Sequence, residues 1–489
     1  MAEAEAEAEA EEQYGDLQRV QSRKRTGRRW EALHDLHKER VGEEVLVRAR
    51  VHVVRGKGKS CFLQLRRNMS TLQAVLFANQ ETVPKAMVTY ASKIPRESVV
   101  DVSGNVVDPG KPIESCTQQV ELHVSSIHCI SRSAQMLPLQ VDDASQPDSE
   151  LEKHNTPYVP VSMDTRLDNR IIDLRTPANQ AIFRLQSKIC ELFRRALLNM
   201  SFTEIHSPKL IKGASEGGSA VFKTEYMGSP ACLAQSPQLY KQMAVEADLE
   251  RVFEIGPVFR AENSNTHRHL CEFTGLDMEM AIYEHYTEVL DVLDTLFTTI
   301  FTGLNKECAE ELRVISQQYP FEPLQFDERG ALKMTYQEGI ELLQKHGYDV
   351  SPYEDIGSEE ERALGKIVKK ERGTEFYALT RYPAAARPFY TMPDPEDDRY
   401  TNGFDVFVRG EEITSGSQRI HDAELLKERA EVYGVDTTSI MPYIQSFTYG
   451  ALPHGGAGIG LERVVMLFLD LGNVKRVSLF PRTPNRISP

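Results

Sequence analysis

From Val45 to Val53 the chain alternates: Val45, Val47, Ala49, Val51 and Val53 fall on one side, and Leu46, Arg48, Arg50 and His52 on the other. A period of two predicts a half-buried strand with both arginines on its open face. Apolar runs at Cys61–Leu65, Leu72–Phe77, Val99–Val106 and Val120–Ile130 predict further short strands. Later the period changes. Ile182, Leu185, Ile189, Leu192, Phe193 and Ala196 recur at helical spacing and predict an amphipathic helix. An apolar run ends at Gly256-Pro-Val-Phe-Arg260, a polar stretch carries His267, Arg268 and His269, and a second run begins at Phe273. That pattern predicts a hairpin with cations on its loop. Near the end, Gly455, Gly456, Gly458 and Gly460 precede an apolar run from Leu461. The glycines permit positive φ and close approach to a ligand, and the run predicts a helix with Arg463 in its first turn.

Several short strands within about ninety residues match the OB-fold, a small barrel that binds single-stranded nucleic acid on exposed aromatics. Residues 1–40 are charged and lack sustained periodicity, which predicts a mobile extension. Pro138, Gln146-Pro147, Pro157 and Pro160 mark 134–165 as a hinge or linker between a domain at 41–133 and one at 166–489. Residues 283–375 are helix-rich and without recognisable site chemistry, so they are expected to be a peripheral helical insertion.

Composition narrows the setting. With 40% hydrophobic and 26% charged residues the chain is ordinary for a soluble protein. No apolar run approaches the ~18 residues that span a bilayer. The Ala/Glu run Ala2–Glu12 suits neither a signal nor a transit peptide. Seven cysteines without a Cys-x-x-Cys pair argue against a disulfide framework and a structural zinc site, so a cytosolic protein is expected. The net charge of −15 is unevenly spread. Acids dominate to Asp16, then Arg19, Arg23, Lys24, Arg25, Arg28 and Arg29 follow; Arg48, Arg50, Arg55, Lys57 and Lys59 form a second basic group. Either cluster can be solvated surface or phosphate contact.

The charged hairpin is open to two readings as well: a solvated loop, or a grip on polyphosphate with Phe273 facing a base. The glycine segment is either a turn before a core helix or a ligand cradle. It is not a dinucleotide fingerprint, because Arg463 stands where the third glycine belongs, and Gly58-Lys59-Ser60 is not a P-loop, because Val53 replaces the first glycine.

Taken together, the hairpin and the glycine segment resemble motifs 2 and 3 of the class II aminoacyl-tRNA synthetases. Phe202-Thr-Glu-Ile-His-Ser-Pro208-Lys-Leu-Ile resembles motif 1, which forms the dimer interface in that class. Over roughly residues 41–489 the chain is similar to the aspartyl-specific, eukaryotic and archaeal cytosolic group. The class I signatures are absent. The resemblance implies an α+β multidomain protein: an N-terminal OB-fold β-barrel, and a class II catalytic domain built on an antiparallel sheet flanked by helices. It implies aspartate–tRNA ligase activity with ATP as substrate and Mg2+. Arg260, Glu412 and Arg463 are the implied catalytic residues. ATP would meet Arg260, Glu262, His267, Arg268, His269, Leu270, Phe273, Glu412, Gly460, Leu461, Glu462 and Arg463. Aspartate would meet Glu216, Gln238, Lys241, Arg260, Asp277, Ser415 and Arg419. Asp405 and Glu412 would hold the metal. Phe62, Gln73 and Glu121 match positions that read the tRNA anticodon. The implied partners are tRNA(Asp), L-aspartate, ATP and a second copy in a homodimer, with a multi-synthetase complex left open and neither membrane nor DNA expected. The alternatives are an asparaginyl enzyme, disfavoured by Lys241 with Arg419, and a catalytically inactive paralogue acting as an RNA-binding or scaffold protein, disfavoured by the presence of Arg260, Glu412 and Arg463.

Overall fold

The computed structural model describes residues 13–79, 81–212 and 221–489. They form two compact units. The first runs to Gln146 and includes Lys153–Gln180; the second comprises Pro147–Glu152 and Ala181–Pro489.

Strands β1 (Tyr14–Asp16), β2 (Glu44–Lys57), β3 (Ser60–Arg67), β4 (Ser70–Phe77), β5 (Val99–Val107) and β6 (Glu121–Ser131) lie in the order β1-β6-β4-β3-β2-β5. A further β5–β6 pairing closes β2 to β6 into a five-stranded barrel. Alternation sorts inside from outside. Val45, Val47, Ala49 and Val51 fill the core with Leu63, Leu65, Leu72 and Ala74. The alternation breaks at a bulge between Val51 and Val53, so Val53 leaves the core set. The arginines expected on the open face are tied down. Arg48 donates Nε and a terminal N–H to Asp101 at 2.7 and 2.9 Å, and Arg50 donates to the Glu97 carbonyl at 3.0 Å. Arg55, Lys57 and Lys59 of that basic group are exposed. The described part of the N-terminal extension, from residue 13 on, is anchored at two places. Its β1 pairs in parallel with β6, and Leu33 and Leu36 are buried in the barrel core. Two leucines among charged neighbours are enough apolar surface to anchor it.

In the second unit β7 (Thr203–Glu204), β11 (Arg251–Phe259), β12 (Glu272–Ala281), β13 (Leu332–Thr335), β14 (Phe376–Thr380), β15 (Gly403–Val408), β16 (Glu411–Gln418) and β17 (His454–Gly460) make one sheet, ordered β13-β14-β15-β16-β17-β12-β11-β7. Its interior pairs are antiparallel, while β13–β14 and β11–β7 are parallel. A small sheet of β8 (Leu210–Ile211), β9 (Lys223–Tyr226) and β10 (Ser229–Leu233) stands apart.

Helix α1 (Pro177–Asn199) carries the predicted apolar stripe, and Ile182, Leu185, Ile189, Leu192 and Phe193 are buried. Phe193 meets Phe253 of β11 edge-on at 5.8 Å. That face is therefore spent inside the chain's own core. The segment 283–375 is not peripheral either. It supplies α3 (Thr287–Glu307), following α2 (Gln238–Ala244), then edge strand β13 and α4 (Ser358–Arg372). Its apolar positions pack with the sheet: Leu364, Val368, Tyr377, Leu379 and Phe407 share one core cluster. No described helix is long and apolar enough to cross a membrane.

Candidate active site

Strands β11 and β12 pair from Arg251↔Met280 to Phe259↔Glu272, so the predicted hairpin forms and the loop 260–271 projects from its end. Alternation along β12 sends Phe273, Gly275, Asp277 and Glu279 to one face. Their partners on β17 are Gly460 opposite Gly275, Gly458 opposite Asp277 and Gly456 opposite Glu279. Acids thus face glycines. A Cβ on Gly456 would lie 2.2 Å from Glu279 Oε2, so only glycine leaves room for that carboxylate. The glycine segment is consequently extended strand packed against acids, and none of its glycines uses the positive φ that the residue permits. Helix α5 (Leu461–Phe468) follows, with Arg463 in its first turn.

These elements enclose a cavity of about 340 Å³. One end is lined by Arg260, Glu262, Arg268, Phe273, Glu412 and Arg463, the other by Gln238, Asp277, Ser415 and Arg419. His269, Leu270, Asp405, Gly460 and Glu462 also line it. Arg260 places its guanidinium 5.5 Å from the Phe273 ring centre. Arg463 donates to the Glu412 carbonyl at 2.9 Å and to the Arg268 carbonyl at 3.4 Å, pinning the loop to β16.

Beneath the second end lies a buried ionic cluster. Lys241 of α2 is 1% exposed. Its Nζ lies 3.0 Å from Asp277 Oδ1 and 3.4 Å from Glu279 Oε2, and it donates to the Ala457 carbonyl at 3.3 Å. Arg419 grips both Glu279 oxygens, at 2.9 and 3.2 Å, and donates to Ser417 Oγ at 2.6 Å. Burial alone would raise the Glu279 carboxyl, but Arg419 and Lys241 hold it below its ordinary value. Two cations are thus matched by two carboxylates before any ligand enters.

Near the first end Asp405 Oδ2 is ion-paired with Arg387 at 2.8 Å, and Arg387 donates to Ser415 Oγ at 2.5 Å while stacking 3.9 Å over Tyr382. Asp405 Oδ1 is buried without a hydrogen-bond partner. Burial, and next the Asp405 charge, push the Glu412 carboxyl above its ordinary value.

Some expected residues sit elsewhere. His267 turns away from the cavity to Glu411, with Nε2 2.9 Å from Oε1. Leu461 is buried at 3% in the helix core and does not line the cavity. Arg268 lines it but is paired with Glu361 of α4 at 2.5 Å. Lys241 lies behind Asp277 rather than on the wall. Glu216 lies outside the described residues. Sequence reasoning missed Glu279, Arg387 and Glu361. Glu279 follows Asp277 by two in a strand, so its face was readable; the other two come from a proline-flanked loop and a distant helix, where no local pattern marks them.

Glu462 accepts from the Thr274 amide with both carboxylate oxygens, at 3.1 and 3.0 Å. Burial pushes its carboxyl up to about 7. The folded chain therefore holds this proton where the unfolded chain, near 4.5, has lost it, and stability falls as pH rises from about 4.5 to about 7. Glu462→Gln keeps the shape without the ionisation. Thermal unfolding of both proteins at pH 5 and pH 8 should show the wild type losing on the order of 3 kcal/mol more than the variant. Equal losses would contradict the assignment.

Residues 162–484 match the family model described as tRNA synthetases class II (D, K and N), and residues 45–130 match an OB-fold nucleic acid binding domain. The chain is 52% identical over 468 residues to the cytoplasmic aspartate–tRNA ligase 2 of Arabidopsis thaliana, covering 95% of this chain and 84% of that protein. Among solved structures it is similar to an aspartyl tRNA synthetase from Entamoeba histolytica, with TM-score 0.89, 46% identity, and 98% and 96% of the two chains covered. It is also similar, at 29% identity and TM-score 0.81, to an asparaginyl-tRNA synthetase from Pyrococcus horikoshii complexed with asparaginyl-adenylate, covering 95% of this chain and 100% of that one.

Proposed function

Because the chain belongs to the class II tRNA synthetases of the D, K and N group, we propose that its cavity activates L-aspartate with ATP and passes it to tRNA(Asp). The observation that carries the choice of amino acid is the cluster around Glu279. Lys241 and Arg419 supply two positive charges, Glu279 and Asp277 two negative. With the α-carboxylate, common to all three amino acids, assigned to Arg260, aspartate adds to the cluster an ammonium and a side-chain carboxylate, so the sum there stays at zero. Asparagine adds to it only the ammonium and leaves a net positive charge in a buried site, and lysine adds one more. Asp277 receives the α-amino end, Gln238 and Ser415 lie near the α-carbon, and Lys241 with Arg419 set the field at the side-chain end. The Gln238 amide nitrogen is buried without a hydrogen-bond partner, a donor suited to a substrate oxygen.

In the first step the substrate's α-carboxylate oxygen attacks the α-phosphorus of ATP, forming the mixed anhydride as the bond to pyrophosphate breaks. Arg260 serves both anions, and its fixed guanidinium lowers the cost of bringing them together. Phe273 and Arg463 take the two faces of the adenine, and Glu262 its amino group. Arg268, released from Glu361, and His269 face the outer phosphates. In the second step a 3'-terminal ribose hydroxyl attacks the anhydride carbonyl and AMP leaves. Asp405 and Glu412 fit a magnesium ion: both are hard oxygen donors, one oxygen lacks a partner, and the pair repels itself. Bound there, the cation would neutralise charge on the phosphates. Motif 1, at Phe202–Ile211, supports a homodimer, and the compartment of the named relative supports the cytoplasm.

The test is charging of a tRNA(Asp) transcript with labelled aspartate, ATP and magnesium by the purified chain. Acid-precipitable label that depends on all three is the expected result. An inactive paralogue would bind the transcript and leave it uncharged.

A further inference from the structure

On the outer wall of the barrel one valine is hidden without belonging to the core. Ala74 and Leu76 of β4 point inward, so Val75 between them points outward. It is nonetheless only 2% exposed and is not part of the barrel's core cluster. Phe62 of β3 pairs with Val75 on one side and His123 of β6 on the other, while Phe77 lies two residues along the same strand. Three rings thus surround it on the solvent side. Phe62 and Phe77 meet edge-to-face at 5.8 Å and 90°, and Phe77 meets His123 at 6.2 Å and 73°.

The cost of this arrangement is exposure. Phe62 is 36% and Phe77 50% exposed, a contiguous aromatic pair left in water. Its surroundings are cationic: Arg55 pairs across from Phe62, Lys57 lies opposite Ser60, and Lys59 sits at the turn, all exposed. Beside it the polar reading group is braced. Gln73 donates to Glu121 at 2.5 Å, and His123 Nε2 lies 3.5 Å from the other Glu121 oxygen.

We propose that Phe77, edged by His123, is a second nucleobase platform beside Phe62, accepting an adjacent unstacked base of single-stranded RNA. The inference rests on the reading of the barrel as an RNA-binding unit. The perpendicular rings explain the shape of the ligand. Two bases stacked on faces at 90° cannot stack on each other, so the wall selects a splayed loop over a continuous single-stranded helix. Arg55, Lys57 and Lys59 follow the backbone and add affinity without sequence preference. His123 holds Glu121 in place while its ring closes the far side of the platform.

The experiment measures the affinity of the full chain for a tRNA(Asp) transcript in Phe62→Leu, Phe77→Leu and Phe77→Trp, with far-UV circular dichroism and thermal melting as folding checks. Leucine keeps the apolar cover over Val75 and removes the ring. Phe77→Leu is expected to weaken binding about 5- to 150-fold, the scale of one lost base stack, and Phe77→Trp to retain it. Wild-type affinity in Phe77→Leu with weakened Phe62→Leu would overturn the second platform and leave the barrel reading intact. Wild-type affinity in both leucine variants would overturn the barrel reading with it. Equal weakening in Phe77→Leu and Phe77→Trp would also overturn the platform, since cover and not ring chemistry would then be at issue.

Discussion

Lys241→Met is expected to cost about 3–5 kcal/mol of stability and to abolish aspartate activation together. The side chain is fully enclosed, and its ammonium is shared between Asp277 and Glu279. Methionine has a similar length and no charge, so packing survives while two buried carboxylates are left with Arg419 alone. That guanidinium is already committed to both oxygens of Glu279, and Asp277 loses the Lys241 ammonium at 3.0 Å. With Lys241 gone the cluster itself carries a net negative charge, which the side-chain carboxylate of aspartate would have to meet. Thermal melting would report the stability loss, and pyrophosphate exchange at saturating aspartate the lost activity. A variant that melts with the wild type and still activates aspartate would remove the cluster from both roles.

Arg260→Lys should behave in the opposite way, sparing the fold and removing the chemistry. Arg260 is only half-buried and lines the cavity. Its backbone amide bonds the Cys271 carbonyl at 2.9 Å whatever side chain it carries. Lysine keeps the charge but loses the planar fork that can serve a phosphate and a carboxylate at once. Loss of one preorganised donor to a developing charge costs about 3 kcal/mol or more, so exchange should slow roughly 100- to 1,000-fold. The melting temperature should stay unchanged. An effect confined to KM for aspartate would mean that Arg260 holds the ground state only.

The contrast between these residues also explains what the sequence discloses. Arg260, Glu262 and Arg463 are contiguous with a strand–loop–strand pattern and a strand–helix junction, and local periodicity places them. The OB barrel is legible in the same way, because five short strands each bury alternate residues. Glu279 was within reach, sharing a face with Asp277, yet its meaning depends on Arg419, 140 residues away. Arg387 and Glu361 are set by long-range packing, of β15 beside its loop and of α4 on the sheet. Nothing in their neighbours along the chain separates them from surface charge. The glycines of β17 show the reverse case. Their number signalled a special backbone, but the cause is the carboxylates of β12 pressing against the strand, not a turn.

Amino-acid-dependent exchange of labelled pyrophosphate into ATP tests the central claim most directly, using the purified chain with magnesium and, in turn, aspartate, asparagine and lysine. Exchange with aspartate, and at least 100-fold less with asparagine, is the predicted result, on the scale by which sites that leave buried groups unpaired reject a near-isostere. Exchange supported by asparagine as well as by aspartate would contradict the charge balance drawn around Glu279.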